Sequence, residues 1–131
     1  EWIAQFDKVR LPYNIGSLTQ ITAGVALRHP ALWQHQTEAI CAERERLAAG
    51  LGALTGVRVY PSDANFLLFR VPAGLAPVLY QKLQADGVLI KLLDGTHPAL
   101  SDCLRATVGR PEENERLLEA LTRGLDAAGR K

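Results

Sequence analysis

Between Ser17 and Arg28 the apolar positions gather on one side of a helix: Leu18, Ile21 and Val25, with Thr22 beside them. Ser17 is suited to cap its start, because a serine oxygen accepts from the free N–H groups of a first turn. The residues before it read differently. Pro12 fixes its own φ and biases its predecessor toward extended backbone, so the first fifteen residues, with Tyr13-Asn14-Ile15 leading into Gly16, are expected to form an extended arm. His29-Pro30 breaks the helical pattern, and a longer helix is expected from about Ala31 to Leu54. Its apolar stripe is Trp33, Ile40, Leu47, Leu51 and Leu54, spaced seven, seven, four and three residues apart. Glu38, Glu43, Arg44, Glu45 and Arg46 form the polar side, and Gly50, Gly52 and Gly56 loosen and close the end.

Beyond Gly56 the period shortens to that of strands. Val57-Arg58-Val59-Tyr60 predicts a short strand stopped by Pro61, and Asn65 to Val71 a longer one stopped by Pro72. Leu75, Val78, Leu79 and Leu83 mark a helix up to Asp86, with Gly87 where a helix-ending glycine belongs. Val88 to Leu92 predicts a third strand, Asp94-Gly95-Thr96-His97-Pro98 a loop, and Cys103 to Val108 a fourth strand. Pro111-Glu112-Glu113 opens a last helix, whose buried face is Leu117, Leu118, Leu121 and Leu125. Strands interrupted by single helices predict an α+β fold. Its form is a small, mainly antiparallel sheet of about four strands covered by helices on one face, preceded by two N-terminal helices. Residues 1–56 then form an entering arm with connecting helices, and residues 57–131 the small α+β domain.

Composition narrows the function classes. With 131 residues, 47% of them hydrophobic, the chain can bury a core without disulfides. Fifteen basic against fourteen acidic residues leave a net charge of +1 and no basic stripe, which argues against a nucleic-acid partner. Apolar runs such as Phe66 to Phe69 are far too short for a bilayer, so no membrane partner is expected. Two cysteines, Cys41 and Cys103, give no disulfide framework and point to a reducing compartment, the cytoplasm. The first eight residues lack the pattern of a signal peptide. The chain starts at Glu1, has no methionine, and carries a long helix whose stripe needs something to pack on, so a piece of a longer protein is expected.

Candidate chemistry is sparse. Alternation in Cys103 to Val108 puts Leu104, Ala106 and Val108 on one face and Cys103, Arg105 and Thr107 on the other. If the apolar trio faces the core, Arg105 points outward as a planar fork, either solvated and salt-bridged or gripping a carboxylate or phosphate. His29 and His35 are turned about 240° apart on a helix, and no cysteine or carboxylate stands at ligand spacing, so no metal site is expected. His97 reads as an exposed loop residue, and neither cysteine has a local base. No glycine-rich phosphate loop follows a strand, and Glu112 and Glu113 read as helix-start acids. Tyr13 and Asn14 read as turn residues.

Several segments, in order and over nearly the whole chain, carry a resemblance. They are Asp7-Lys8-Val9-Arg10-Leu11-Pro12-Tyr13-Asn14 with Leu18-Thr19-Gln20, and Ala64-Asn65-Phe66-Leu67-Leu68-Phe69. Gly87-Val88-Leu89-Ile90, Cys103-Leu104-Arg105-Ala106-Thr107-Val108-Gly109 and Pro111-Glu112-Glu113-Asn114 complete the set. Together they resemble the small, C-terminal domain of histidinol-phosphate aminotransferases, a subgroup of the pyridoxal-phosphate aminotransferases. The resemblance implies a fold-type I enzyme, usually a homodimer, of which this chain is the last third, the partner being a missing N-terminal large domain.

The same resemblance implies that a large-domain lysine, in a Ser-Lys segment followed by Arg, holds pyridoxal 5'-phosphate. Lys8, Lys82, Lys91 and Lys131 match no such segment, so the isolated chain is expected to hold no cofactor and to be inactive. Arg105 matches the arginine that grips the substrate's anionic group. Tyr13 and Asn14 match a Pro-Tyr-Asn near the active site and dimer contact, and Asn65 a position beside the site. Lys91 stands where the family often has a phosphate-binding arginine, and keeps the charge without the fork. The implied reaction is amino transfer between histidinol phosphate and 2-oxoglutarate in histidine biosynthesis. Threonine-phosphate decarboxylases are similar over the same segments, and a stand-alone, non-enzymatic binding module is the other alternative.

Overall fold

The computed structural model describes residues 2–9 and 15–129. They divide into one unit ending at Gln36 and another beginning at Thr37. In the first unit the expected extended arm is instead a helix, α1 (Trp2–Val9). Proline restricts only itself and the residue before it, so Pro12 has no hold on residues 2–9, and that stretch contains neither glycine nor proline. Lys8 in the last turn donates to Gln5 Oε1 at 3.0 Å. α2 (Ser17–Ala26) follows the apolar pattern, but Ser17 is its first helical residue rather than its cap; Gly16 holds the cap position with extended backbone. Thr22 Oγ1 donates to the Leu18 carbonyl at 2.8 Å. α3 (Pro30–Gly52) begins on a proline, whose missing N–H costs nothing at a first helical position. Trp33 Nε1 donates to the Ala26 carbonyl at 2.8 Å, tying the start of α3 to the end of α2.

The second unit is built on four antiparallel strands in the order β1 (Arg58–Val59), β2 (Phe66–Arg70), β4 (Cys103–Thr107), β3 (Lys91–Leu92). Opposed pairs share a face of the sheet. Phe69 lies opposite Leu104 and Leu67 opposite Ala106, and all four are buried. Helices cover that face: α4 (Ala76–Ala85) contributes Leu79 and Leu83, and α5 (Pro111–Gly129) contributes Leu117 and Leu121. Leu47 and Leu51, from the second half of α3, complete the same core. Each fully buried Leu or Phe contributes roughly 1.5–3 kcal/mol relative to an exposed one. The fold is the expected α+β layer. The sequence grouped residues 1–56 together, whereas here the compact unit takes in the chain from Thr37.

The third strand is shorter than its apolar run. Gly87 turns at φ +74°, and Val88 gives its N–H to the Leu83 carbonyl at 2.8 Å. That bond finishes α4 and withdraws a donor from the sheet, so pairing with β4 is confined to Lys91 and Leu92, and Leu89 is left 80% exposed. The start of α5 is fixed as its sequence suggests. Glu113 Oε2 accepts from the Arg110 N–H at 2.9 Å, the returning half of a capping box. That bond and the Arg110 guanidinium hold the Glu113 carboxyl below its usual range.

Candidate functional site

The face of the sheet turned away from the core is where charge collects. In β4, Leu104 and Ala106 are buried while Arg105 and Thr107 are exposed, as the alternation predicts, whereas Cys103, expected on the Arg105 face, is fully buried. Register sets Arg105 between Leu68 of β2 and Lys91 of β3, so the two cations are direct cross-strand neighbours on one face. Like charges so placed repel, with side-chain bases on the order of 5 Å apart. Arg105 Cζ lies 5.0 Å from the centre of the Phe66 ring. That contact steadies an exposed guanidinium by about 0.5–1 kcal/mol and leaves its N–H groups free. Among the described residues no carboxylate bonds to Arg105 or Lys91. The arrangement offers a fork and an ammonium to a common anion.

Asn65 borders this face at the start of β2. Its carbonyl accepts from the Val108 N–H at 2.8 Å, extending the β2–β4 ladder past Phe66 and Thr107. The turn before it is built by Ser62, whose Oγ donates to the Phe66 carbonyl at 2.6 Å and accepts from the Ala64 N–H at 3.1 Å. Arg44 of α3 reaches the Ala64 carbonyl at 3.4 Å. The Asn65 side chain is exposed. Of the residues singled out from the sequence, Arg105 and Lys91 thus come together, and Asn65 lies at the end of the same strand pair. Tyr13 and Asn14 lie outside the described residues.

Two further cations on this face were not singled out. Arg70 stands opposite Cys103 in β4 and Arg58 in β1, and both guanidinium groups approach the Tyr60 ring, at 5.9 and 5.1 Å. Arg70 is also committed to backbone: Nε donates to the Ser101 carbonyl at 3.0 Å and Nη2 to the Ala99 carbonyl at 2.7 Å. The Cys103 sulfur beside it holds its guanidinium above the ordinary arginine value. The signal was present in the sequence, since Arg70 is in phase with Phe66 and Leu68, but its partners depend on pairing with a strand more than thirty residues away. His97 is a turn residue, its Nδ1 accepting from the Ala99 N–H at 3.1 Å. No group of His, Cys, Asp or Glu fit for a metal is found among the described residues. Nor is any helix there long and apolar enough to cross a membrane.

Comparison with known proteins adds to this geometry. The family described as Aminotransferase class I and II matches residues 1–121. A histidinol-phosphate aminotransferase of Nitrosococcus oceani is 48% identical over 123 residues, covering 94% of this chain and 34% of that protein. The chain therefore spans about a third of the length of the curated relatives it matches. The histidinol-phosphate aminotransferase of Clostridium acetobutylicum shares the fold, with a TM-score of 0.77 at 23% identity over 95% of this chain and 37% of that one. The L-threonine-O-3-phosphate decarboxylase of Porphyromonas gingivalis gives a TM-score of 0.63 at 28% identity, over 85% of this chain and 34% of that one.

Proposed function

Because the chain belongs to the class I and II aminotransferases, we propose that it is the small, C-terminal domain of a histidinol-phosphate aminotransferase. The whole enzyme exchanges an amino group between histidinol phosphate and 2-oxoglutarate, and Arg105 holds the anionic group of each substrate. The observation that carries this reading is the exposed Arg105–Lys91 pair, two opposed cations with no carboxylate partner among the described residues. Arg105 presents paired N–H donors that match a carboxylate or one edge of a phosphate. Lys91 adds a point charge that favours a doubly charged group. Asn65, Tyr13 and Asn14 are assigned to the same site by resemblance to the family.

Pyridoxal phosphate, when bound, supplies the electron sink for amino transfer. The lysines of this chain match no Ser-Lys segment of the kind the family uses as its anchor, and none is assigned that role. Lys8 is bonded to Gln5, Lys82 is on the exposed side of α4, and Lys91 lies on an edge strand beside Arg105. The anchor is assigned to a preceding large domain, in keeping with relatives about three times as long. The isolated chain is accordingly assigned no activity of its own. The complete enzyme is taken to be a cytoplasmic homodimer, as the family resemblance implies.

In the complete enzyme, Arg105→Ala should raise KM for the anionic substrates roughly 30- to 150-fold, the loss of about 2–3 kcal/mol of charge-assisted bonding. Unchanged steady-state kinetics would remove the assigned role. The likeness to a threonine-phosphate decarboxylase supports a second reaction on the same face. Carbon dioxide release from a phosphorylated amino acid without glutamate turnover would establish it. Tight, saturable binding of glutamate or histidinol phosphate by the 131-residue chain alone would instead favour a self-sufficient binding module.

A further inference from the structure

We infer that Arg70 is a positioning residue that keeps β4 in the register and height at which Arg105 meets its anion. The inference rests on the reading of Arg105 given above. β4 is five residues long, so whatever fixes its first residues fixes Arg105 as well. It is entered through a tight turn. Asp102 sits in the left-handed region at φ 57°, a conformation that disfavours most side chains and persists only where its surroundings hold it.

Three bonds supply that hold on Asp102. Its N–H donates to Asp94 Oδ1 at 2.8 Å, its Oδ1 accepts from the Gly74 N–H at 2.8 Å, and its carbonyl accepts from the Val71 N–H at 3.0 Å. Arg70 completes the grip by carrying Ala99 and Ser101 on two arms of one rigid group. Arg70 and Val71 are consecutive, so the end of β2 holds the segment 99–102 by side chain and backbone together.

Slippage here has a specific consequence. A one-residue shift in a strand moves every side chain to the other face. It would turn Arg105 into the core and bring Leu104 or Ala106 out. A smaller displacement would leave the fold standing and misdirect the fork. Arg70 shares a face with Arg105, so its charge alone could attract the anion; the bonds to Ala99 and Ser101 require the planar group instead. A lysine keeps the charge but has one nitrogen in place of the two that hold Ser101 and Ala99, so it cannot reproduce this two-armed geometry.

The test is a double-mutant cycle in the complete enzyme, with Arg70→Lys, Arg105→Lys and the combined variant, reading KM, kcat and unfolding midpoint for each. Positioning predicts that Arg70→Lys raises KM for the anionic substrate roughly tenfold, the effect of about 1.4 kcal/mol. It also predicts that in the Arg105→Lys background the same change adds less than about twofold, because the two act as one unit. A wild-type KM in Arg70→Lys overturns the inference, as does a double variant whose KM shift is the product of the single shifts. If Arg70→Lys does not fold, Asp94→Ala loosens the same turn from its other side, with the same coupling expected and the same multiplicative outcome overturning it. An Arg105→Lys enzyme with wild-type KM would instead defeat the underlying site reading. A clear Arg105 effect beside an inert Arg70 defeats only the positioning role.

Discussion

Among the described residues Asn114 is the buried polar side chain, and its carbonyl oxygen and both amide N–H groups are engaged at the end of β4. Its Oδ1 accepts from the Gly109 N–H at 2.9 Å while its Nδ2 donates to the Gly109 carbonyl at 3.0 Å and to Glu43 Oε2 at 2.9 Å. A single amide thus gives Gly109 the pair of bonds that another strand would have given it. A Cβ on Gly109 would lie 2.8 Å from Glu113 Oε2 and 3.0 Å from Glu113 Cβ, so a larger residue must displace the side chain that caps α5. Asn114→Ala should lower stability by about 2–3 kcal/mol, since the Gly109 N–H and carbonyl lose their partner together while Glu43 keeps only Arg46. Urea unfolding of the 131-residue chain measures it, and a loss under about 0.5 kcal/mol would show that water replaces the amide freely. The sequence pattern assigns Asn114 no role at this junction, because Glu43 lies 71 residues earlier.

At the level of elements, helices with a clear apolar period were legible to within a few residues. α2 and α4 begin and end, and α5 begins, near the punctuation that predicts them. β2 and β4 were legible too, because their alternation reflects one wet face and one packed face. What failed was local. α1 was hidden by a proline that restrains only its near neighbours, and β3 was overstated because its apolar run begins inside the motif that ends α4. The long helix has one continuous stripe in sequence but two fates: Leu47 and Leu51 are fully buried, while Trp33 and Ile40 remain more than 40% exposed. Its junction with β1 turns at Gly56, φ +79°, where an added Cβ would approach the Pro72 ring to 2.8 Å. Gly56→Ala therefore combines a left-handed penalty of about 1–2 kcal/mol with a clash. The expected loss, about 2 kcal/mol or more, is read as a shift in the denaturation midpoint; an unshifted midpoint would show that the turn relaxes at no cost.

For the molecule as a whole, the two units differ in how much apolar surface they cover. The second has a closed core, whereas the first leaves Trp2, Ile3, Phe6, Leu18 and Ile21 each more than 60% exposed. At these spacings each helix carries an exposed apolar face, and such a face marks a place of contact. In the reading proposed above, that contact is with the rest of the enzyme. The free 131-residue chain should bind a hydrophobic dye such as ANS, and Leu18→Lys with Ile21→Lys should lower that signal while changing the unfolding free energy by no more than about 0.5 kcal/mol. Equal dye binding before and after would locate the exposed surface elsewhere. The candidate site was legible only as a list, because strand phase gave the outward direction of Arg105, but its neighbours Lys91, Phe66 and Arg70 are set by pairing over long range. The burial of Cys103 beneath this same face has a practical corollary. Cys41 is only half-covered, so an alkylating reagent reaches it while the protein is native, whereas the Cys103 thiol becomes reactive only when the sheet parts. The chain therefore carries its own clock for how often the platform beneath the arginines breathes.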